Sequence, residues 1–169
     1  KKLFFEAGKF DEYFFSHMEE IDLCWRLQAM GFQIWVEPDA VVYHKNAFSM
    51  PMHSHKKYYL NHRNSLLMLF GNYSLKNTLI LGSGRILFEL IAFGYSILNL
   101  NWKHSSAIIR SLLYLLFHVN VILIKRDKFK KIRRQKDKDI MKNMLKNSIV
   151  INYYLKRMQV YSEIDSIDS

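Results

Sequence analysis

The sequence has little cysteine and little acidic charge. Its 169 residues include one cysteine, Cys24, and 15 Asp and Glu against 25 Lys and Arg, which gives a net charge of +10. A single thiol excludes an internal disulfide and fits a reducing compartment. The positive balance predicts an anionic partner or surface. The sequence shows no internal repeat and no low-complexity tract, and its length predicts one domain with an appendage.

The sequence also lacks an uninterrupted apolar run of the kind that crosses a membrane. Residues 79–98 are apolar but include Arg85 and Glu89, and a charge at mid-bilayer costs about 2.5–3.5 kcal/mol. Residues 108–124 have the length of a buried or interfacial helix. We therefore expect amphipathic helices that lie in the membrane interface. Helices packed on the rest of the domain, or a helical hairpin through the bilayer, are the alternatives.

Residues 125–142 are strongly basic, with ten Lys or Arg against three Asp. After an apolar stretch, such a run suits the anionic cytoplasmic leaflet of a membrane, and a solvated helix face is the alternative. Nucleic acid is not an expected partner, because Phe129 is the only aromatic residue of the run and no reader fold is recognisable. Asp137-Lys138-Asp139 spells Asp-x-Asp, a metal-binding motif, but inside this lysine run we interpret it as a coincidence.

Polar groups among aromatic residues are concentrated in residues 6–44. Ser16 and Glu19 have the spacing of a capping box, which predicts a helix that begins near Glu19. Gly31 is placed to end this helix as its C′ residue. The apolar face of the helix is predicted from three residues at helical spacing, Leu23, Leu27 and Met30.

Two short strands and a second helix are predicted after Gly31. Residues 32–36 alternate between apolar and polar and are stopped by Pro38, and residues 40–44 form the second strand. Pro51 interrupts regular structure in the connection that follows. The apolar stripe of residues 56–70 predicts a helix.

A few polar residues of this region could carry chemistry. Glu19 and Glu20 lie where a helix N-terminus offers positive potential, so a carboxylate there stays ionised and can act as a general base. The residues alone equally allow Glu19 to be a capping partner and Glu20 a solvated acid. Asp22 and Arg26 are spaced i, i+4 and predict a surface ion pair. His44, at a strand end, is either a hydrogen-bonded structural histidine or a metal ligand.

In this order, the motifs resemble the C-terminal half of the catalytic domain of family-two glycosyltransferases, and above all their rhamnosyltransferase-like branch. Gly-x-Phe-Asp-Glu-x-Phe-Phe of that family matches residues 8–15, and Glu-Asp/Glu-x-Asp-Leu-x-x-Arg matches residues 19–26. Pro-x-Ala-x-x-x-His matches residues 38–44, and Arg63-Asn64 resembles the Arg-Asn pair that follows in the family.

The resemblance implies an α/β fold, because the family consists of inverting enzymes of GT-A fold. Residues 1–72 are then the acceptor side of the catalytic domain, the C-terminal half of a GT-A domain. Residues 73–146 are expected to be an all-α membrane-associated extension, and residues 147–169 a C-terminal helix with a frayed acidic tail. The chain has no initiator Met and lacks the nucleotide-sugar half. We therefore expect it to be the C-terminal part of a longer protein and unable to bind a donor alone.

The resemblance also assigns roles to residues. Glu20 matches the catalytic base that deprotonates the acceptor hydroxyl, which then attacks the anomeric carbon with inversion. Many family members have Asp at this position, so the longer Glu20 side chain changes the reach of the base. Asp22 and Arg26 would brace the helix and the acceptor side, with Glu19 in support. His44 matches a position that completes the coordination of a divalent metal, Mg²⁺ or Mn²⁺, which the missing N-terminal half mainly binds.

The implied partners are a nucleotide-diphospho-sugar donor, a saccharide or lipid-linked acceptor and an anionic membrane surface. The implied location is the cytoplasmic face of the cell membrane, in the synthesis of cell-surface polysaccharide or glycolipid. The alternative function is a non-catalytic membrane-associated scaffold or anchoring protein, in which the acidic and histidine positions are structural. A basic nucleic-acid binder is a third hypothesis.

Overall fold

The computed structural model describes residues 1–43, 50–142, 144, 148–154, 156–158 and 160. Helices account for 67% of these residues, and there is no strand and no sheet among them. The predicted α/β fold, the C-terminal half of a GT-A domain, is therefore wrong for the described chain. Residues 1–137 form one compact unit, and residues 138–169 cluster as a second.

The two predicted strands, residues 32–36 and 40–44, are not strands where the structure describes them. Residues 32–43 form a largely exposed chain, in which Trp35 is 82% and Val36 is 87% exposed. A strand needs a neighbour that donates and accepts its ladder hydrogen bonds. In the described part of the chain no segment pairs with these residues. The alternation of apolar and polar residues therefore does not produce a strand here.

The helices of the described residues run in the following order. They are α1 Lys2–Glu6, α2 Glu19–Ala29, α3 His55–Asn72, α4 Leu75–Leu98, α5 Trp102–Phe117, α6 Val119–Ile132, α7 Asp137–Met141 and α8 Ile149–Tyr154. The helix predicted over residues 56–70 is confirmed as α3, which is slightly longer at both ends. It begins at its N-cap Ser54, whose hydroxyl accepts a hydrogen bond from the Lys57 N–H.

Helix α3 is the centre of the first unit. It packs against α2, α4, α5 and α6. Its buried apolar side chains are Leu60, Leu66, Leu67 and Met68. Burying a side chain of this size stabilises the fold by about 1.5–3 kcal/mol relative to leaving it exposed. Ala107 and Ile108 of α5 are fully buried and complete this part of the core.

Helix α2 begins at Glu19, but the predicted capping box is absent. The N-cap residue is Met18 in the left-handed conformation, with φ of 71°, and no side chain caps the helix. Because Met18 is the N-cap, the hydroxyl of Ser16 lies two residues too early for a capping box. The C-terminus follows the prediction: Gly31 has φ of 97°, and two backbone hydrogen bonds close a Schellman motif there.

The buried face of α2 also differs from the prediction. Trp25 and Ala29 are buried, and Asp22 and Arg26 are buried with them. The predicted apolar stripe is only half-buried at Leu23 and Leu27, although Met30 is buried. Trp25 stacks on Tyr73 with ring centroids 4.1 Å apart. The large aromatic side chain, rather than the leucine stripe, therefore sets the orientation of α2.

Helix α4 contains the first apolar stretch and is mostly uncovered. By length and composition it could cross a membrane, yet only 17% of its apolar window is buried. Its large exposed apolar residues include Leu79, Ile80, Leu87, Leu90, Ile91 and Leu98. Glu89, in contrast, is 1% exposed and faces the helix bundle. The charged side chain of Glu89 thus lies within the helix bundle and not on the exposed apolar face of α4.

The second apolar stretch divides into two helices at His118. Helices α5 and α6 are bent by 68° there, and only together do they meet the length and composition of a span. The first turns of α6 are apolar, and its last turn is basic with Lys130 and Lys131. A basic segment thus directly follows exposed apolar surface, as the sequence predicted.

Asp137 of the Asp-x-Asp sequence has a structural position. Its carboxylate accepts hydrogen bonds from the Ser74 backbone N–H at 2.8 Å and from the Asn77 side chain at 2.7 Å. It is also paired with Arg133. Burial raises the pKa of Asp137, but these hydrogen bonds outweigh it and hold the pKa below its usual range. Asp137 therefore fixes the start of α4.

Candidate site at the N-terminus of helix α2

The loop that precedes α2 has an unusual backbone. Phe15, His17 and Met18 all have positive φ, between 61° and 71°. Residues with a Cβ rarely adopt this conformation, and each sparsely populated position costs on the order of 1–3 kcal/mol. Three such residues within four positions persist only where neighbouring groups hold the chain.

Asn64 on α3 holds this loop in place. It is 0% exposed, and its side-chain amide donates to the carbonyl oxygens of Phe14, Ser16 and His17 at 2.9, 2.7 and 2.8 Å. An amide has two N–H groups, so one of these hydrogen bonds is shared. Asn64 thus satisfies carbonyl groups that the left-handed residues turn inward.

Arg63 holds the loop at a second point. Its guanidinium donates to the carbonyl oxygens of Tyr13 and Phe14 at 2.7 and 3.1 Å, and its Nε donates to the Asn64 side chain at 2.8 Å. The Arg63-Asn64 pair of the sequence therefore fixes the approach to α2. The contacts join residues about 50 positions apart, so local sequence patterns could not have revealed them.

The two carboxylates follow this loop in the first turn of α2. Glu20 is exposed, and Glu19 is half-buried. One Glu19 oxygen, Oε2, and the Nε2 of His17 are buried without a hydrogen-bond partner among the described residues. Buried polar groups are nearly always paired, so these two atoms are exceptions. They lie within four residues of the exposed carboxylate of Glu20.

Asp22 and Arg26 form an ion pair that is buried, whereas the sequence predicted a surface pair. The Asp22 side chain is 0% and the Arg26 side chain 9% exposed, with 2.7 Å between Nη2 and Oδ2. Arg26 also donates to the carbonyl oxygens of Ala7 and Lys9. The spacing i, i+4 is the same for a buried and an exposed pair. The sequence pattern alone therefore could not show that this ion pair is buried.

Asp22 has two further partners that the sequence did not suggest. Its Oδ1 accepts from the Asn72 side chain at 2.6 Å, and the buried Lys125 ammonium lies 3.5 Å away. Lys125 also pairs with Asp11. Burial raises the pKa of Asp11, but Lys125, the Tyr13 N–H and Arg26 together outweigh this and hold the pKa below its usual value. The network ties residues 7–11, α2, α3 and α6 together.

A groove of about 910 Å³ lies over this network. It runs between residues 6–13, which carry most of the Gly-x-Phe-Asp-Glu motif, and α6. Its lining includes Lys128 and Lys131 besides Arg26 and Lys125. The groove therefore combines an acidic motif with several ammonium groups.

The predicted metal ligand His44 lies outside the described residues. In residues 1–43, 50–142 and the shorter described segments, no group of three or more His, Cys, Asp or Glu could hold a metal ion. Because His44 is not among these residues, they do not test the divalent metal that the resemblance implies, which stays a prediction.

A second polar cluster, which the sequence reasoning largely missed, joins α3, α4 and α5. The Nδ1 of His62 lies 2.6 Å from Oε2 of Glu89, and its Nε2 lies 2.9 Å from Nε2 of His104. The Nδ1 of His104 lies 2.6 Å from the Ser96 hydroxyl. Only the pairing of Arg85 with Glu89, spaced i, i+4, was visible in the sequence.

Comparison of the chain with protein-family models, with curated proteins and with solved structures found no match.

Proposed function

We propose that this chain is the acceptor-side part of a membrane-associated inverting glycosyltransferase, with Glu20 as the general base. The observation that carries the proposal is the strained loop directly before Glu20, which Arg63 and Asn64 hold from α3. Catalytic groups must be held close to the productive geometry by locked neighbours. Backbone strain that is held in this way is typical of functional sites.

The environment of Glu20 suits a base. Its carboxylate is exposed in the first turn of a helix, at the positive end of the helix dipole. An ionised carboxylate can accept the proton of an acceptor hydroxyl as that oxygen attacks the anomeric carbon of the donor.

The test is sugar transfer by the longer protein to which we assign this chain. A panel of nucleotide-diphospho-sugars is offered with membrane extracts as acceptor, and release of the nucleoside diphosphate is measured. Loss of a general base typically lowers the rate about 10²–10⁴-fold, so Glu20→Gln should lower transfer by that factor and leave donor binding nearly intact. Glu20→Asp retains a carboxylate and should retain measurable transfer.

Glu37→Gln is the matched control, because Glu37 is an exposed acid outside the groove lining and outside the matched motifs. It should leave transfer unchanged. Transfer by Glu20→Gln within about threefold of the unaltered enzyme, a difference of under 1 kcal/mol in barrier height, would remove Glu20 from the role of base.

The exposed face of α4 favours a second candidate, a non-catalytic membrane anchor. Monomeric soluble proteins rarely expose a continuous apolar patch of more than a few hundred Å², and α4 is mostly uncovered along its length. The two candidates share the membrane and differ in chemistry. An anchor binds vesicles equally well with and without the Glu20→Gln substitution, and it shows no sugar transfer with any donor.

A further inference from the structure

A groove of about 520 Å³ runs between α4 and α5, away from the α2 site. Its walls are mainly apolar side chains of both helices: Phe93, Ile97, Trp102, Ile109 and Leu113. The groove lies beside exposed apolar side chains of α4 and α5. A hydrocarbon chain that lies in a membrane interface would therefore meet apolar side chains along this groove.

One charged side chain, Arg110, lies in this mainly apolar lining, which also includes Ser105 and Ser106. Arg110 is exposed, and its guanidinium stacks over the Tyr59 ring at 4.6 Å. Among the described residues it has no carboxylate partner. A guanidinium that is oriented by an aromatic ring and not neutralised by an acid matches the geometry and charge of a phosphate group.

The groove is connected to the loop before Glu20 through aromatic contacts. Arg63 lies 5.4 Å from the same Tyr59 ring that Arg110 covers, and 5.3 Å from the Tyr114 ring of α5. Arg63 in turn holds the carbonyl oxygens of Tyr13 and Phe14. The Tyr59 ring thus contacts both Arg110 of the groove and Arg63, which holds the loop before Glu20.

We propose that this groove binds a lipid phosphate, with the hydrocarbon chain between α4 and α5 and the phosphate on Arg110. The lipid phosphate carries the sugar acceptor, so this inference rests on the proposed function and specifies its acceptor as lipid-linked. An anionic head beside an apolar chain matches the arrangement of Arg110 beside apolar walls. The net charge of +10 further favours an anionic lipid.

The test measures binding, not transfer, so it remains informative if the proposed activity is wrong. Phosphatidylcholine vesicles are doped with a long-chain prenyl phosphate, with the corresponding prenyl alcohol, or with phosphatidylglycerol at equal mole fraction. The full chain carries Trp35→Phe, which leaves Trp102 of the groove as the exposed reporter and the buried Trp25 as a constant background. We expect the tightest binding and the largest Trp102 fluorescence change with the prenyl phosphate.

Arg110→Gln should weaken binding of the prenyl phosphate about tenfold or more, the effect of losing a charge-assisted hydrogen bond. It should not alter binding of the prenyl alcohol. Lys103→Gln is the matched control, since Lys103 is an exposed cation of α5 outside the groove lining. Ser106→Leu adds bulk to the groove lining and should weaken binding of both prenyl lipids.

Equal binding of prenyl phosphate and phosphatidylglycerol would show attraction to a charged surface and would overturn the proposal. Equal losses in the Arg110 and Lys103 variants would overturn it as well. Competition by millimolar inorganic phosphate, with no dependence on the prenyl chain, would show a site for free phosphate instead. The proposed function is tested separately by the loss of transfer on Glu20→Gln, and none of these binding outcomes affects that test.

Discussion

The Nδ1 of His62 donates to Oε2 of Glu89 at 2.6 Å, which joins α3 to α4, a helix whose apolar window is only 17% buried. Glu89 also pairs with Arg85 of its own helix. Because the exposed side of α4 is mostly apolar, hydrophobic burial alone would allow it to slide or rotate on α3. A buried, directional hydrogen bond specifies one register.

Glu89→Gln should therefore destabilise the first unit. The carboxylate is 1% exposed and has two cationic or potentially cationic partners, and hydrogen bonds to charged groups contribute about 1.5–3 kcal/mol. We expect the free energy of unfolding in urea to fall by about 2–3 kcal/mol. Glu12→Gln, at an exposed position, should change it by less than about 0.5 kcal/mol. Equal effects of the two substitutions would contradict a special role for Glu89.

The same cluster predicts a loss of stability in acid. Burial and the neighbouring His62 lower the pKa of His104 below its usual 6.5, although Glu89 opposes this. The unfolded chain then binds more protons than the folded chain just below pH 6.5, so stability falls as the pH decreases from there. For Glu89, burial raises the pKa, but His62 and Arg85 outweigh it and lower the pKa below 4.5, so a further loss begins below that pH.

Urea unfolding between about pH 7 and about pH 5 checks this prediction. His104→Gln should flatten the pH dependence in that range, because the substituted side chain does not titrate. His118→Gln, at the exposed end of α5, should retain the pH dependence of the unaltered chain. A parallel slope in the His104 variant would place the titrating group elsewhere.

Asn64→Asp should damage the loop before α2 more than a simple loss of packing. The buried amide donates to three carbonyl oxygens, whereas an ionised aspartate can only accept. Leaving buried carbonyl groups unsatisfied costs about 1–3 kcal/mol each, so we expect a loss of roughly 3 kcal/mol or more in unfolding free energy. Asn61→Asp, on the exposed side of α3, is the control. Faster proteolysis within residues 13–18 of the Asn64 variant would locate the damage.

The sequence predicted the parts of this fold that local patterns determine. The helix over residues 56–70 and the turn at Gly31 depend on spacing and on one residue with positive φ, and both were found. The strands of residues 32–36 and 40–44 depend on a pairing partner, which apolar alternation does not reveal. The burial of Asp22 depends on Asn72 and Lys125, which lie 50 and 103 residues away along the chain.

The basic segment should direct the apolar face of α4 to anionic membranes. Each Lys or Arg near an anionic surface contributes about 1 kcal/mol, and salt screens this attraction over a Debye length of about 10 Å. Arg133 is unsuitable for the test because it pairs with the buried Asp137 and stacks on Phe129. Lys128 and Lys130 are exposed on α6 and have no such partner role in the described structure.

Lys128→Gln with Lys130→Gln should weaken binding to anionic vesicles at low salt by about 2 kcal/mol, roughly 30-fold. Lys1→Gln with Lys2→Gln removes the same charge from exposed positions of the N-terminal segment and serves as the control. High salt should release much of the unaltered protein and abolish the difference between the two double variants, because only the electrostatic part of binding is screened. Equal losses in both double variants at low salt would mean that net charge, rather than the position of α6 beside the apolar face, governs binding. Complete resistance to alkaline carbonate would instead show that the apolar helices insert fully, against an interfacial position.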